Sequence, residues 1–135
     1  MLEWLRFRRR SRPRELPLSG APTTPRMKTY AAESGYIYHY FFLGLQESDT
    51  DLKYGFSLSG NRKDWFRNSV LVDRAALVAW EQSHGRTLLA NEKYAIAKLT
   101  LFNAFDTRND PESIRLPIVA RAMEIRQNLE KIGVE

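Results

Sequence analysis

The stretch Tyr36–Leu45, YIYHYFFLGL, decides how the rest of the chain is read. It is rich in aromatic and β-branched residues, which suit a pleated surface and predict a strand of about ten residues. Strict alternation puts Tyr36, Tyr38, Tyr40 and Phe42 on one face, and Ile37, His39, Phe41, Leu43 and Leu45 on the other. Both faces are mostly apolar, so the reading implies a strand covered on both sides or nearly so.

Working outward, the polar turn QESDTD leads into LKYGFSLS over residues 52–59. There Leu52, Tyr54, Phe56 and Leu58 alternate with Lys53, Gly55, Ser57 and Ser59, the pattern of a half-buried strand with a wet outer face. A second turn, GNRKD, precedes a third strand in WFRNSVLV. Short connections between successive strands predict an antiparallel meander. Asp73 then suits the N-cap of a helix through RAALVAWEQSH, and Gly85 suits its left-handed C-terminus. A second helix is expected from about Ala90 to Phe105. Asp110-Pro111 has the form of an N-cap followed by proline for a third, interrupted near Pro117 and continuing to about Ile132. The expected class is α+β, a three-stranded antiparallel meander followed by three helices packed on one sheet face.

The chain has 135 residues, 43% of them hydrophobic, enough for one core and one domain. It has no cysteine, which removes disulfides, thiolate catalysis and thiolate metal sites. Apolar runs fall well short of the roughly 20 residues a spanning helix needs, and a cytoplasmic protein is the expectation. Net charge is +5, and its placement matters more than its size. Residues 1–26 hold seven arginines against Glu3 and Glu15, a balance of +5, so residues 27–135 are neutral. Four prolines fall in the same 26 residues and block regular structure, so this stretch reads as a disordered basic tail ahead of a single domain over 27–135. Two origins fit it: an arm that holds a polyanion, or upstream message read as protein before a start at Met27.

No phosphate-binding glycine loop, nucleophile elbow or zinc spacing is present in the sequence, and no cofactor or metal is expected. His39 and His84 lie in different elements and read as hydrogen-bonded structural side chains. In DTRNDPE the acids Asp106, Asp110 and Glu112 recur as in a calcium loop. Arg108 and Pro111 occupy positions where a ligand and a glycine are required, so the stretch reads as a helix connection. Lys98 stands among Tyr94, Leu101, Phe102 and Phe105; a buried lysine there could serve an enzyme with Tyr94 and Glu92 or Glu81, though no constellation recommends it.

Three function classes follow. The first is a non-catalytic protein-interaction or self-associating module, a homodimer among the possibilities. It rests on the all-round apolar second helix and on Ile118, Ala122, Ile125, Leu129 and Ile132, which repeat at heptad-like spacing and offer a seam. The second is nucleic-acid binding through Arg8, Arg9, Arg10 and Arg12 of the tail and through the basic, aromatic turn of Arg62, Lys63, Trp65 and Arg67. The third is the Lys98 enzyme.

Overall fold

In the computed structural model, which describes residues 26–108 and 111–134, the alternation of residues 52–58 is realised as a strand buried on one side. It is the third of five: β1 (Lys28–Ala31), β2 (Ile37–Glu47), β3 (Asp51–Ser59), β4 (Phe66–Asp73) and β5 (Ile118–Ala120). Helices α1 (Arg74–His84), α2 (Ala90–Thr107) and α3 (Ala122–Lys131) complete the fold, with a 3₁₀ turn at Pro111–Arg115. Spatial order in the sheet is β1-β2-β3-β4-β5; the first three pairings are antiparallel and the last is parallel.

The class is α+β, but the three-stranded meander followed by three helices is not the topology. Two strands extend the sheet, and they have different causes. β1 is a four-residue edge strand with one inward anchor, Tyr30, whose ring stacks on Phe102 at 4.2 Å. β5 replaces the first part of the expected last helix. Ile118 and Ala120 face Val70 and Val72 in register and are buried, with Val119 between them on the other side. Pro117 removes a helical donor just where β-branched Ile-Val begins, and burial on a period of two outweighs the helical spacing. Joining β5 in parallel to β4 requires a long crossover, which α1 and α2 supply. No helix starts at Pro111; the 3₁₀ turn stands there instead.

The inner face of the sheet carries Tyr38, Tyr40, Leu52, Tyr54, Phe56, Leu58, Val70 and Val72, all buried. Against it lies α2, whose Ile96, Ala97, Leu101 and Phe105 are at most 1% exposed. Phe105 stacks on Tyr38 at 4.2 Å, and Tyr94 meets Phe42 at 4.8 Å. The far side of α2 packs on α3, where buried Asn128 donates to Thr100 Oγ1 at 3.0 Å. A helix apolar nearly all round is thus enclosed on both sides within one domain. The caps of α1 are the expected ones: Asp73 accepts from the Ala75 amide at 3.2 Å, and Gly85 has φ 64°.

One local irregularity sets what each face displays. Pairing of β2 with β3 shifts between Phe42 and Gly44, and Gly44 has φ 128°. The extra residue makes a bulge that resets the alternation. Leu45 therefore pairs with Tyr54 on the inner side, while Leu43 stays outside. Strict alternation had placed both together. Among the described residues, every ring contact between sheet and helix uses an inner-face residue, while His39, Phe41 and Leu43 on the outer side of β2 are half-buried.

Candidate functional site

The outer sheet face is where the basic, aromatic turn leads. Residues 59–64 form a turn locked by its own side chains. Ser59 Oγ accepts the amides of Asn61 and Arg62 at 3.2 and 2.8 Å, and Asn61 Oδ1 accepts those of Lys63 and Asp64 at 2.8 and 2.9 Å. These amides are spent internally, so the loop is no anion-binding nest. Its purpose is placement. It holds Arg62 in the left-handed region at φ 65° and delivers Trp65 over the outer face, 5.1 Å from the ring of Phe41. Both rings are half-buried.

Register then brings cations to the rings. Phe41, Ser57 and Arg67 are cross-strand neighbours on β2, β3 and β4. Lys53 lies four residues from Ser57 on the same face of β3, about 13 Å along the strand. Arg67 and Lys53 are exposed, and neither has an ion-pair or hydrogen-bond partner among the described residues. Between them Gly55 opposes Gly44, so two residues without side chains floor the face. Arg115 rises at the far edge with its guanidinium 4.0 Å from the Phe66 ring and 3.5 Å from Glu112. Leu43, Leu71 and Pro117 complete a cleft of about 900 Å³, with Asp51 its one acidic lining residue. Beside the Trp65–Phe41 ring pair, the cleft offers an aliphatic floor and cations, and among the described residues no nucleophile with a base beside it.

Of the residues singled out from the sequence, the structure brings Trp65 and Arg67 onto this face and leaves Arg62 and Lys63 exposed at the turn beside it. Arg8, Arg9, Arg10 and Arg12 lie outside the described residues. The heptad-like seam does not form as one helical stripe. Ile118 is on β5, while Ile125 and Leu129 are buried in the domain's own core, and only Ala122 and Ile132 are exposed.

Lys98 is half-buried with Nζ 5.8 Å from the Phe102 ring centre. Desolvation, and then the nearby Lys28 ammonium, hold its pKa below the usual lysine range. Its suggested carboxylate partners are engaged elsewhere. Glu81 accepts the Leu88 amide at 2.7 Å, and Glu92 accepts the Leu89 amide at 2.8 Å and the Arg86 guanidinium at 3.0 Å. Those bonds, the Leu89 amide foremost, lower the Glu92 pKa.

The calcium-like stretch is also accounted for. Asp106 accepts from the Tyr30 hydroxyl at 2.6 Å and the Glu33 amide at 2.9 Å. Arg108 donates to the carbonyls of Ser113, Leu116 and Pro117, and Asp110 lies outside the described residues. His84 stacks on Trp80 at 3.9 Å and donates through Nδ1 to its carbonyl at 2.8 Å, a helix-end contact, and His39 Nδ1 sits 3.3 Å from Thr29 Oγ1.

Leu43, Lys53, Leu71 and Arg115 line the cleft, Phe41 meets Trp65 on the same face, and none of them was singled out. The one signal for them was the polar alternation Lys53, Gly55, Ser57, which marked an outer face without saying what shares it. No protein-family model, curated protein or solved structure matches this chain.

Proposed function

We propose that the domain is a non-catalytic binding module that holds single-stranded nucleic acid across the open face of its sheet. The observation that carries this reading is the half-buried Trp65–Phe41 ring pair beside Arg67 and Lys53, whose side chains have no partner among the described residues. Ring faces accept any base by stacking, and spaced cations follow the phosphates, so such a surface needs no sequence code. Self-association has a weaker motive. The apolar faces that suggested it, on α2, on the last helix and on the inner side of β2, are used within the monomer. A Lys98 enzyme has weak support, since the carboxylates suggested for it, Glu81 and Glu92, are bonded elsewhere.

The test is a titration of the full chain with fluorescently labelled oligo(dT) and oligo(rU), compared with Trp65→Ala and Gly55→Val. A Cβ on Gly55 meets its nearest neighbours, Gly44 O and Leu43 Cβ, at 3.7 and 3.8 Å, which is ordinary contact. Valine there fills the cleft floor and suits a strand. Both variants are expected to fold and to bind more weakly than the parent. Unchanged affinity in both would assign any binding to another part of the chain and end the proposal.

A further inference from the structure

The same two strands present a different surface on their inner side. Tyr40 and Tyr54 are each only 3% exposed, and their hydroxyls, which have no protein partner among the described residues, are not sealed from solvent. Both hydroxyl-bearing side chains line a cavity of about 750 Å³ between β2, β3 and the first turns of α2, and Tyr94 joins them from the helix. Phe42 and Leu45, set side by side by the bulge, give it an apolar wall.

Charge at the rim is one-sided. Arg26, Lys28 and Lys93 line it, and the one acid, Glu47, is paired with Arg74 at 3.0 Å. Lys28 is the cross-strand partner of Tyr40 and has no carboxylate partner among the described residues. The N-terminal end of α2 opens on the same space at Ala90 and Asn91, adding the positive end of an 18-residue helix. Burial pushes the phenols of Tyr40 and Tyr54 up to about 12 and raises Tyr94 as well. At neutral pH all three are hydrogen-bond donors, and none has an acceptor among the described residues.

We infer that this cavity is a binding site for a small amphipathic oxyanion. Its apolar body lies on Phe42 and Leu45, and its carboxylate or phosphate head lies among the hydroxyls of Tyr40, Tyr54 and Tyr94, with Lys28 and Lys93 beside it. The size suits a ligand of a dozen or so heavy atoms within the usual range of small-molecule sites, about 300–1,000 Å³. Donors without acceptors and cations without anions both ask for the same thing, a negatively charged head; the wall asks for a tail.

The experiment is calorimetric titration of the full chain with dodecanoate, dodecyl phosphate and dodecanol, each below its aggregation concentration. Dodecanoate or dodecyl phosphate is expected to bind one to one, and dodecanol roughly tenfold more weakly, the effect of losing a charge-assisted hydrogen bond. Which of the two heads binds better separates a fatty acid from a lipid phosphate. Tyr40→Phe with Tyr54→Phe removes only two oxygens and should raise Kd about tenfold. Ala90→Phe, at an exposed position on the rim, plugs the cavity without touching the core and should abolish binding. No binding by either anion, equal binding of dodecanol, or full binding by Ala90→Phe would each overturn the inference. Oligonucleotide affinity of these variants should match the parent, since the two sites lie on opposite faces.

Discussion

Removing Arg67 and Lys53 should change how nucleic-acid binding depends on salt, by an amount that can be worked out from the face itself. Each phosphate neutralised on a single strand contributes about −0.7 to the slope of log affinity against log salt. Raising salt from about 50 to 200 mM is a fourfold change, so each lost contact spares a factor of roughly 2.6. The Arg67 and Lys53 side chains have no partner among the described residues, and both count in full. Arg115 shares its charge with Glu112 at 3.5 Å and is left out. The full chain should therefore lose roughly sevenfold more affinity over that salt range than the double variant Arg67→Ala, Lys53→Ala. Because parent and variant carry the same seven tail arginines, the difference belongs to the face alone.

Trp65→Ala should behave in the opposite way. Stacking on an aromatic side chain is worth about 1–3 kcal/mol per base, so affinity should fall about 5- to 150-fold at any salt, with the slope unchanged. The assay is fluorescence anisotropy of labelled oligo(dT) at four or five salt concentrations. Equal slopes for parent and double variant would mean that Arg67 and Lys53 touch no phosphate, and the reasoning about this face would be refuted. A steeper loss for Trp65→Ala at high salt would show that the ring acts by arranging cations rather than by stacking.

Further predictions concern the framework. Asp106→Ala leaves the Tyr30 hydroxyl and the Glu33 amide without their acceptor, and should cost about 2 kcal/mol in urea unfolding while speeding amide exchange along β1; a silent substitution would mean that water replaces the latch. Ile118→Ala should cost about 2–4 kcal/mol because the side chain is 2% exposed, whereas Ile132→Ala, at 40% exposed, should stay within about 0.5 kcal/mol; similar costs at both would favour a helical seam over β5. Gly44→Ala places a side chain at φ 128° and should destabilise by about 1–3 kcal/mol and weaken binding at both faces together, whereas Gly55→Val should affect only the outer one.

Alkaline pH belongs to the same group. Tyr30, held up first by its bond to Asp106, and Tyr40 and Tyr54, held up first by burial, all titrate at about 12 in the fold against about 10 when unfolded. Between those values the unfolded chain has given up protons that the folded one keeps, so the stability these groups contribute is whole below pH 10 and is lost by pH 12. Tyrosinate absorbance from these residues should accompany loss of the folded circular dichroism; its appearance near pH 10 in a folded protein would contradict their burial.

What could be read from the sequence was what is decided locally. Strands β2 to β4 show in the aromatic and alternating runs, and α1 shows in Asp73 and Gly85, because period and capping are properties of neighbours in the chain. β5 does not, since Ile118, Val119 and Ala120 are strand only by lying beside Val70, Leu71 and Val72. Read along the chain alone, Ile118 fits the helical spacing of Ile125 and Leu129 equally well. β1 fails for a related reason: four residues with one inward tyrosine leave no pattern until Phe102 is there to receive the ring. The site divides on the same line. Trp65 and Arg67 were visible because they crowd a turn, but Phe41, Lys53 and Arg115 join them through strand register and the position of the 3₁₀ turn. The phenols Tyr40 and Tyr54 looked like ordinary core residues, and only the cavity they line together with Tyr94 distinguishes them.

A single glycine ties the two faces together. With strict alternation through β2, Phe42 would face inward with Gly44, and Leu45 would lie outside beside Leu43. The inner cavity would then lose half its apolar wall, and the outer cleft would be floored by a leucine. Gly44 at φ 128° admits the extra residue, so Leu45 turns inward next to Phe42 and the outer surface opposite Gly55 is left bare. A bulge in the middle of a long strand disrupts the ladder locally, and bulges of this kind occur where a side chain has to be re-aimed. Here it re-aims one residue and creates a hollow on each side of the sheet, one lined by phenols and lysines, the other by Leu43, Leu71, Lys53 and Arg67. That both candidate sites depend on the same backbone irregularity is a reason to read the bulge as a functional feature of this fold.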